Sequence, residues 1–100
     1  MAVSLTPSQK RYLRGLAHPL KPVVLMGAKG LTDAVLAEID LALEHHELVK
    51  VKVSADDREA REATIAEIAR RTSSALVQRV GHTATLYRRS SESPEITLPR

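Results

Sequence analysis

Changes in the spacing of apolar residues constrain the fold of this chain more than any other feature of its sequence. Residues 23–26 form a short apolar run, which is typical of a buried strand. Apolar side chains then recur every four residues from Leu31 to Leu43, the period of an amphipathic helix. In residues 49–53 valine alternates with lysine, which predicts a half-buried strand. A strand, a helix and a strand in succession predict a right-handed crossover between parallel strands.

Residues typical of helix starts, helix ends and turns predict the remaining elements. Thr6-Pro7 predicts the start of a first helix, which ends near Ala17 because His18 precedes a proline. Residues 57–71 have the pattern of a third helix, and residues 75–80 and 83–88 read as a hairpin turning at Gly81. The predicted order is helix, strand, helix, strand, helix, strand, strand. We therefore expect an α/β fold with a four-stranded mixed sheet, its three helices largely on one face and Lys50 and Lys52 on the other.

The length and composition set the number of domains and exclude several classes of protein. A chain of 100 residues supports one compact domain, which we place at residues 1–90, followed by a loosely held polar tail at residues 91–100. The absence of cysteine excludes disulfides and cysteine-ligated zinc. No apolar run approaches the roughly 20 residues of a membrane span, and the N-terminus lacks a signal-peptide core. We expect a cytoplasmic protein that does not bind membranes.

The charges of this chain are segregated along the sequence. Residues 1–31 carry five cations and no acid, residues 32–67 carry ten acids against four cations, and residues 68–100 carry six arginines against two acids. This separation predicts one surface that attracts a polyanion, although acids and bases on different solvated helices would give the same pattern. Tyr12 and Tyr87 are the only aromatic residues, so a sheet that stacks bases on aromatic rings is excluded. Any nucleic acid would be held mainly through its phosphates.

One loop has a pattern suited to anion binding. Gly27-Ala28-Lys29-Gly30 joins the first predicted strand to the second predicted helix. Glycines let a ligand approach the main chain closely, and backbone N–H groups, the helix N-terminus and Lys29 would all face a phosphate. A tight turn with purely geometric glycines explains the same residues. The Walker nucleotide-binding pattern does not fit, because Leu31-Thr32 follows Gly30.

The segments around this loop resemble a known family. Residues 14–32, residues 37–39 with residues 42–52, Gly81-His82-Thr83 and Leu86-Tyr87-Arg88 together look like the signature of the YhbY proteins of the CRM (chloroplast RNA splicing and ribosome maturation) family. The resemblance covers nearly the whole chain. It implies a CRM domain that binds RNA, with a glycine loop like that of KH domains. It also implies association with precursors of the large ribosomal subunit.

The leading hypothesis is a non-catalytic protein that binds ribosomal RNA and acts in assembly of the large subunit, as a monomer and without a cofactor. The expected RNA-binding residues are Lys10, Arg11, Arg14, Lys21, Gly27, Ala28, Lys29, Gly30, Lys50, Lys52 and Arg88. The sequence leaves open whether His82, Arg70, Arg71 and the tail also contact RNA.

Two alternatives remain open. One is a module that docks on ribosomal or assembly proteins through its acidic second helix, and the other is a small enzyme acting on a phosphorylated substrate. Neither a catalytic set nor a metal site is expected, because His45 and His46 are adjacent and point apart on a helix.

Overall fold

The computed structural model describes residues 4–27, 29–55 and 57–99, and it confirms the predicted order of elements. The elements are α1 (Pro7–Ala17), β1 (Pro22–Leu25), α2 (Asp33–His46), β2 (Leu48–Lys52), α3 (Arg58–Thr72), β3 (Ala75–Val80) and β4 (Thr83–Tyr87). Within the part of the chain that the structure describes, no helix combines the length and apolarity needed to cross a membrane.

Side-chain caps set where the helices begin. Thr6 and Gln9 form a capping box, in which the Thr6 hydroxyl accepts from the Gln9 N–H at 3.2 Å and the Gln9 side chain accepts from the Thr6 N–H at 3.0 Å. The Thr32 hydroxyl accepts from the Val35 N–H, and the Asp57 carboxylate accepts from the Ala60 N–H at 2.7 Å. Each cap satisfies a donor that the first helical turn leaves without a partner, so short polar residues fix these boundaries.

The four strands form one mixed sheet in the order β1-β2-β4-β3. The β1 and β2 strands are parallel, and β4 is antiparallel to both of its neighbours, β2 and β3. The β2 and β3 strands therefore run in the same direction, so both predicted strand–helix–strand units are present. Gly81, at the turn between β3 and β4, has a φ of 58°, which suits glycine at the first central position of a type II′ turn.

The expectation that all three helices lie on one face of the sheet is wrong. Helices α2 and α3 cover one face, where the buried core residues include Ile39, Val51 and Ile65. Helix α1 packs on the opposite face through Leu13 and Ala17. That face carries the apolar cluster of Leu48, Val77 and Tyr87, which must be covered from water, so a helix lies on each side of the sheet.

The C-terminal segment is attached to the domain, whereas the sequence suggested a loosely held tail. The buried carboxylate of Glu47 accepts hydrogen bonds from the backbone N–H groups of Ser90 at 2.8 Å, Glu95 at 2.7 Å and Ile96 at 2.8 Å. Ile96 also packs against the cluster beneath α1. Apolar contact and a buried acceptor together hold residues that lie outside regular secondary structure.

Candidate nucleic-acid interface

Part of the sheet face that carries α1 lies outside the apolar cluster on which the helix packs. Strand pairing aligns Lys50, Thr85 and Gln78 in one row across β2, β4 and β3, and aligns Lys52, Thr83 and Val80 in the next row. Residues paired directly across strands point to the same face. We call these six residues the open sheet face. The predicted alternation of β2 is confirmed, since Val49, Val51 and Val53 are buried on the other face.

The glycine loop begins beside the open sheet face, at the carboxyl end of β1. The Met26 N–H donates to the Lys52 carbonyl at 2.9 Å, and the Gly30 N–H donates to the Gly27 carbonyl at 3.0 Å, which closes the turn. Gly30 has a φ of 76°, so its conformation favours glycine. Gly27 lies outside the left-handed region, and a Cβ added there would meet no atom within 4 Å. The Gly27 backbone is therefore open to close approach, while Ala28 lies outside the described residues.

The N-terminus of α2 contributes less to anion binding than the sequence suggested. The Thr32 side chain already accepts from the Val35 N–H, which occupies one of the donors of the first turn. Asp33 places an exposed carboxylate in the same turn. A carboxylate at this position repels a second anion. The exposed Lys29 and the loop backbone are therefore better placed than the helix end to bind a phosphate.

Helix α1 and the residues after it place further cations on the same side of the sheet. Arg11 and Arg14 are exposed, Lys10 is half-buried, and Lys21 is exposed where the chain enters β1. Lys21 and Lys50 also border an apolar groove of about 540 Å³ between the end of α1 and β1. The predicted basic residues before position 53 thus share one side or one edge of the sheet.

Ion pairing distinguishes these cations from most other basic residues, although within the described residues Arg61 and Arg89 also form no ion pair. The pairs in the structure join arginines to acids of α2 and α3: Asp40–Arg88, Glu44–Arg88, Glu62–Arg58, Glu62–Arg79, Glu67–Arg70, Glu67–Arg71 and Asp33–Arg71. Among residues 4–27, 29–55 and 57–99, none of these pairs involves Lys10, Arg11, Arg14, Lys21, Lys29, Lys50 or Lys52. The acids of the helical face are largely neutralised by their own neighbours, whereas the cations on the side of α1 remain available to an external anion.

Arg88 is the expected site residue for which the structure gives a different role. Its guanidinium donates to the Asp40 carboxylate at 2.6 Å, to the Asp40 carbonyl at 3.0 Å and to the Thr72 carbonyl at 2.9 Å. The side chain is only 18% exposed. We therefore remove Arg88 from the proposed interface, because its donors connect β4 to α2 and α3.

The sequence analysis missed several polar residues that adjoin the predicted lysines. Thr83 and Thr85 lie on the open sheet face, and His18 at the end of α1 borders the same concavity as Lys50. The alternation of threonine with Ala84 and Leu86 in β4 was a usable signal for the two threonines. Nothing in the local sequence placed His18 over the sheet. His82 is exposed at the hairpin turn, 3.5 Å from the guanidinium of Arg61.

The fold and the site define a small α/β domain with a glycine loop at one strand end and a basic, uncovered sheet face beside it. The CRS1/YhbY (CRM) domain model matches residues 5–88. The chain belongs to this family.

Relatives and a solved structure agree with this assignment. An RNA-binding protein of Haemophilus influenzae is 54% identical over 97 residues, which is 97% of each chain. YqeI of Bacillus subtilis, named a probable RNA-binding protein, is 39% identical and is matched over 99% of its length by 95% of this chain. The solution structure of a hypothetical protein from Staphylococcus aureus superimposes with a TM-score of 0.83 at 38% identity, covering 96% of this chain and all of that one.

Proposed function

We propose that this protein binds ribosomal RNA without catalysing a reaction, and that it acts as a cytoplasmic monomer in assembly of the large ribosomal subunit. The observation that carries the proposal is a group of seven cations that form no ion pair within the described residues; they lie on the side of α1, next to a glycine loop whose backbone is accessible. Family membership and relatives named for RNA binding support the same class of ligand.

The mechanism follows from the charges and from the loop. Lysine and arginine side chains neutralise phosphates and release counterions, which supplies affinity that does not depend on sequence. At Gly27 the lack of a Cβ lets the sugar–phosphate backbone contact the main chain, as in the GxxG loops of KH domains. Lys29 is exposed in the same loop, and Lys52 lies on the strand whose carbonyl accepts from the Met26 N–H, so RNA that contacts the loop has cations close by.

The experiment compares two substitutions of Gly27. In Gly27→Ala the added methyl group meets open space, so we expect a folded protein with modestly weaker RNA binding. Gly27→Asp adds a negative charge at the same position and is expected to lower the affinity for ribosomal RNA at least tenfold, because the carboxylate repels phosphate. Ala63→Asp makes the same charge change at an exposed position of α3 and is the matched control, with unchanged affinity.

Each part of the proposal has its own measurement. Binding to ribosomal RNA fragments is measured by fluorescence anisotropy, and association with large-subunit precursors by cosedimentation. Wild-type affinity in Gly27→Asp would remove the loop from the mechanism. RNA binding without cosedimentation would leave RNA as the ligand and contradict the role in large-subunit assembly.

A further inference from the structure

The open sheet face carries neutral hydrogen-bonding side chains as well as lysines. Gln78, Thr83 and Thr85 line a concavity of about 340 Å³, whose walls include Leu20 and Pro22. This volume lies at the lower end of the roughly 300–1,000 Å³ of small-ligand sites, so it suits a single planar group. Nearby Lys50 supplies charge at its edge.

A β-bulge brings Gln78 to this face. Leu76 pairs with Leu86 and contacts the α3 side of the sheet, so regular alternation would turn residue 78 toward α3 as well. The bulge between Leu76 and Gln78 shifts the register, so that Gln78 lies opposite Thr85. Bulges commonly redirect a side chain in this way.

The same shift removes a cation from the open sheet face. Arg79 lies opposite Ala84, and its guanidinium is 3.4 Å from the Glu62 carboxylate on the α3 side. The strand therefore presents an amide where regular pairing would present a guanidinium. An amide has donors and an acceptor that match the edge of a base, whereas a guanidinium matches a phosphate.

Three polar side chains line the concavity without a hydrogen-bond partner in the part of the chain that the structure describes. In the described part of the chain, the side chains of Gln78, Thr83 and Thr85 make no internal hydrogen bond, although Thr85 is only 2% exposed. Among the described residues, Arg61 Nε is the one buried side-chain polar atom without a partner, so the Thr85 hydroxyl is reached by solvent from the concavity, where a ligand can bond it in place of water. Leu20 and Pro22 offer apolar surface for the face of that ligand.

We propose that this concavity binds an unpaired nucleobase, so that the RNA target includes a single-stranded segment. The inference rests on the proposed function and names the form of RNA that it uses. Gln78, Thr83 and Thr85 bond the edge of the base, Leu20 and Pro22 contact its face, and Lys50 and Lys52 hold the adjoining phosphates. Bases stacked inside a duplex cannot enter a concavity between a helix end and a sheet, whereas splayed single-stranded bases can.

The test measures the affinity of the full chain for ten-nucleotide oligoribonucleotides of uridine, adenosine or cytidine and for a duplex of ten base pairs, at one salt concentration. We expect the preferred single strand to bind at least tenfold more tightly than the duplex, and the three single strands to differ. Gln78→Ala and Thr85→Val should each weaken the preferred strand about fivefold and reduce the difference between bases, since each removes about one hydrogen bond. Thr97→Val, in the C-terminal segment, is the matched control with unchanged affinity.

Each outcome supports or overturns the proposal. Loss of base preference with an unchanged salt dependence would support it, because the two variants remove no charge. Equal affinity for duplex and single strands, or unchanged preference in both folded variants, would overturn the nucleobase site and leave phosphate binding in place. If the wild-type protein binds none of these RNAs but still binds ribosomal RNA fragments, the nucleobase site alone is overturned; failure to bind both would overturn the proposed function together with the inference.

Discussion

At the scale of single residues, Glu47 has the most unusual environment. It ends α2 with a φ of 64° and is only 2% exposed. Burial by itself opposes ionisation, but hydrogen bonds from the backbone of Ser90, Ile96 and Glu95 outweigh it and, with the nearby Arg89, hold the pKa of Glu47 below its usual value. An acid buried near a helix end thus serves as the acceptor that fixes the C-terminal segment.

Replacing this carboxylate provides a test of the attachment. In Glu47→Gln an amide nitrogen takes the place of one oxygen, so at least one backbone N–H group loses its acceptor. We expect unfolding in urea at pH 7 to show a loss of about 1–3 kcal/mol. Hydrogen exchange at Ser90, Glu95 and Ile96 should also become faster. Glu92→Gln, at an exposed position of the same segment, should change stability by no more than about 0.5 kcal/mol.

The lowered pKa of Glu47 also predicts how the effect depends on pH. The unfolded chain protonates this group near its usual pKa of about 4.5, and the folded protein does so only at lower pH. The ionised Glu47 carboxylate therefore contributes fully to the free energy of unfolding above that pKa. Its contribution is lost as the pH falls through the lower pKa of the folded state. The stability difference between wild type and Glu47→Gln should shrink over this acidic range. A constant difference down to pH 2 would contradict the assignment.

At the scale of elements, the sequence predicts what depends on local pattern. The spacing of apolar residues and the helix-cap residues were enough to predict the seven elements. They also predicted which face of β2 carries Lys50 and Lys52. The placement of α1 was not predictable in this way, because the apolar cluster that needs covering forms only when β2, β3 and β4 pair. The bulge before Gln78 and the ion pair of Arg88 with Asp40 likewise depend on contacts between residues far apart in sequence.

A substitution of Arg88 tests the contacts between elements, because its side chain connects β4 to α2 and α3. Arg88→Ala leaves the Thr72 carbonyl and the Asp40 carboxylate without this donor, and we expect a loss of about 2 kcal/mol in the free energy of unfolding. The RNA affinity of the folded fraction should be unchanged. Arg70→Gln breaks an exposed pair with Glu67 and should cost no more than about 0.5 kcal/mol. Weaker RNA binding by the folded Arg88→Ala variant would indicate that Arg88 contacts RNA after all.

At the scale of the whole molecule, the sheet separates two electrostatic surfaces. Acids of α2 and α3 pair with arginines of α3, with Arg79 of β3 and with Arg88 after β4, while among the described residues the cations of α1, the glycine loop and the open sheet face take no part in such pairs. The net charge of +3 conceals this division. An RNA approaching the acidic helices meets few free cations, so the charge distribution orients it toward the side of α1.

This division predicts how salt affects RNA binding. With four to six phosphates neutralised, at about 0.7 per phosphate for a single strand, log K should fall with log salt with a slope of roughly −3 to −4. Lys52→Gln should bring the slope closer to zero by about 0.7, because it removes one phosphate contact. Arg70→Gln removes the same charge from the helical face and should leave the slope unchanged. Anisotropy titrations between 50 and 300 mM salt measure all three slopes. Equal changes in the two variants would mean that net charge, rather than its placement across the sheet, controls binding.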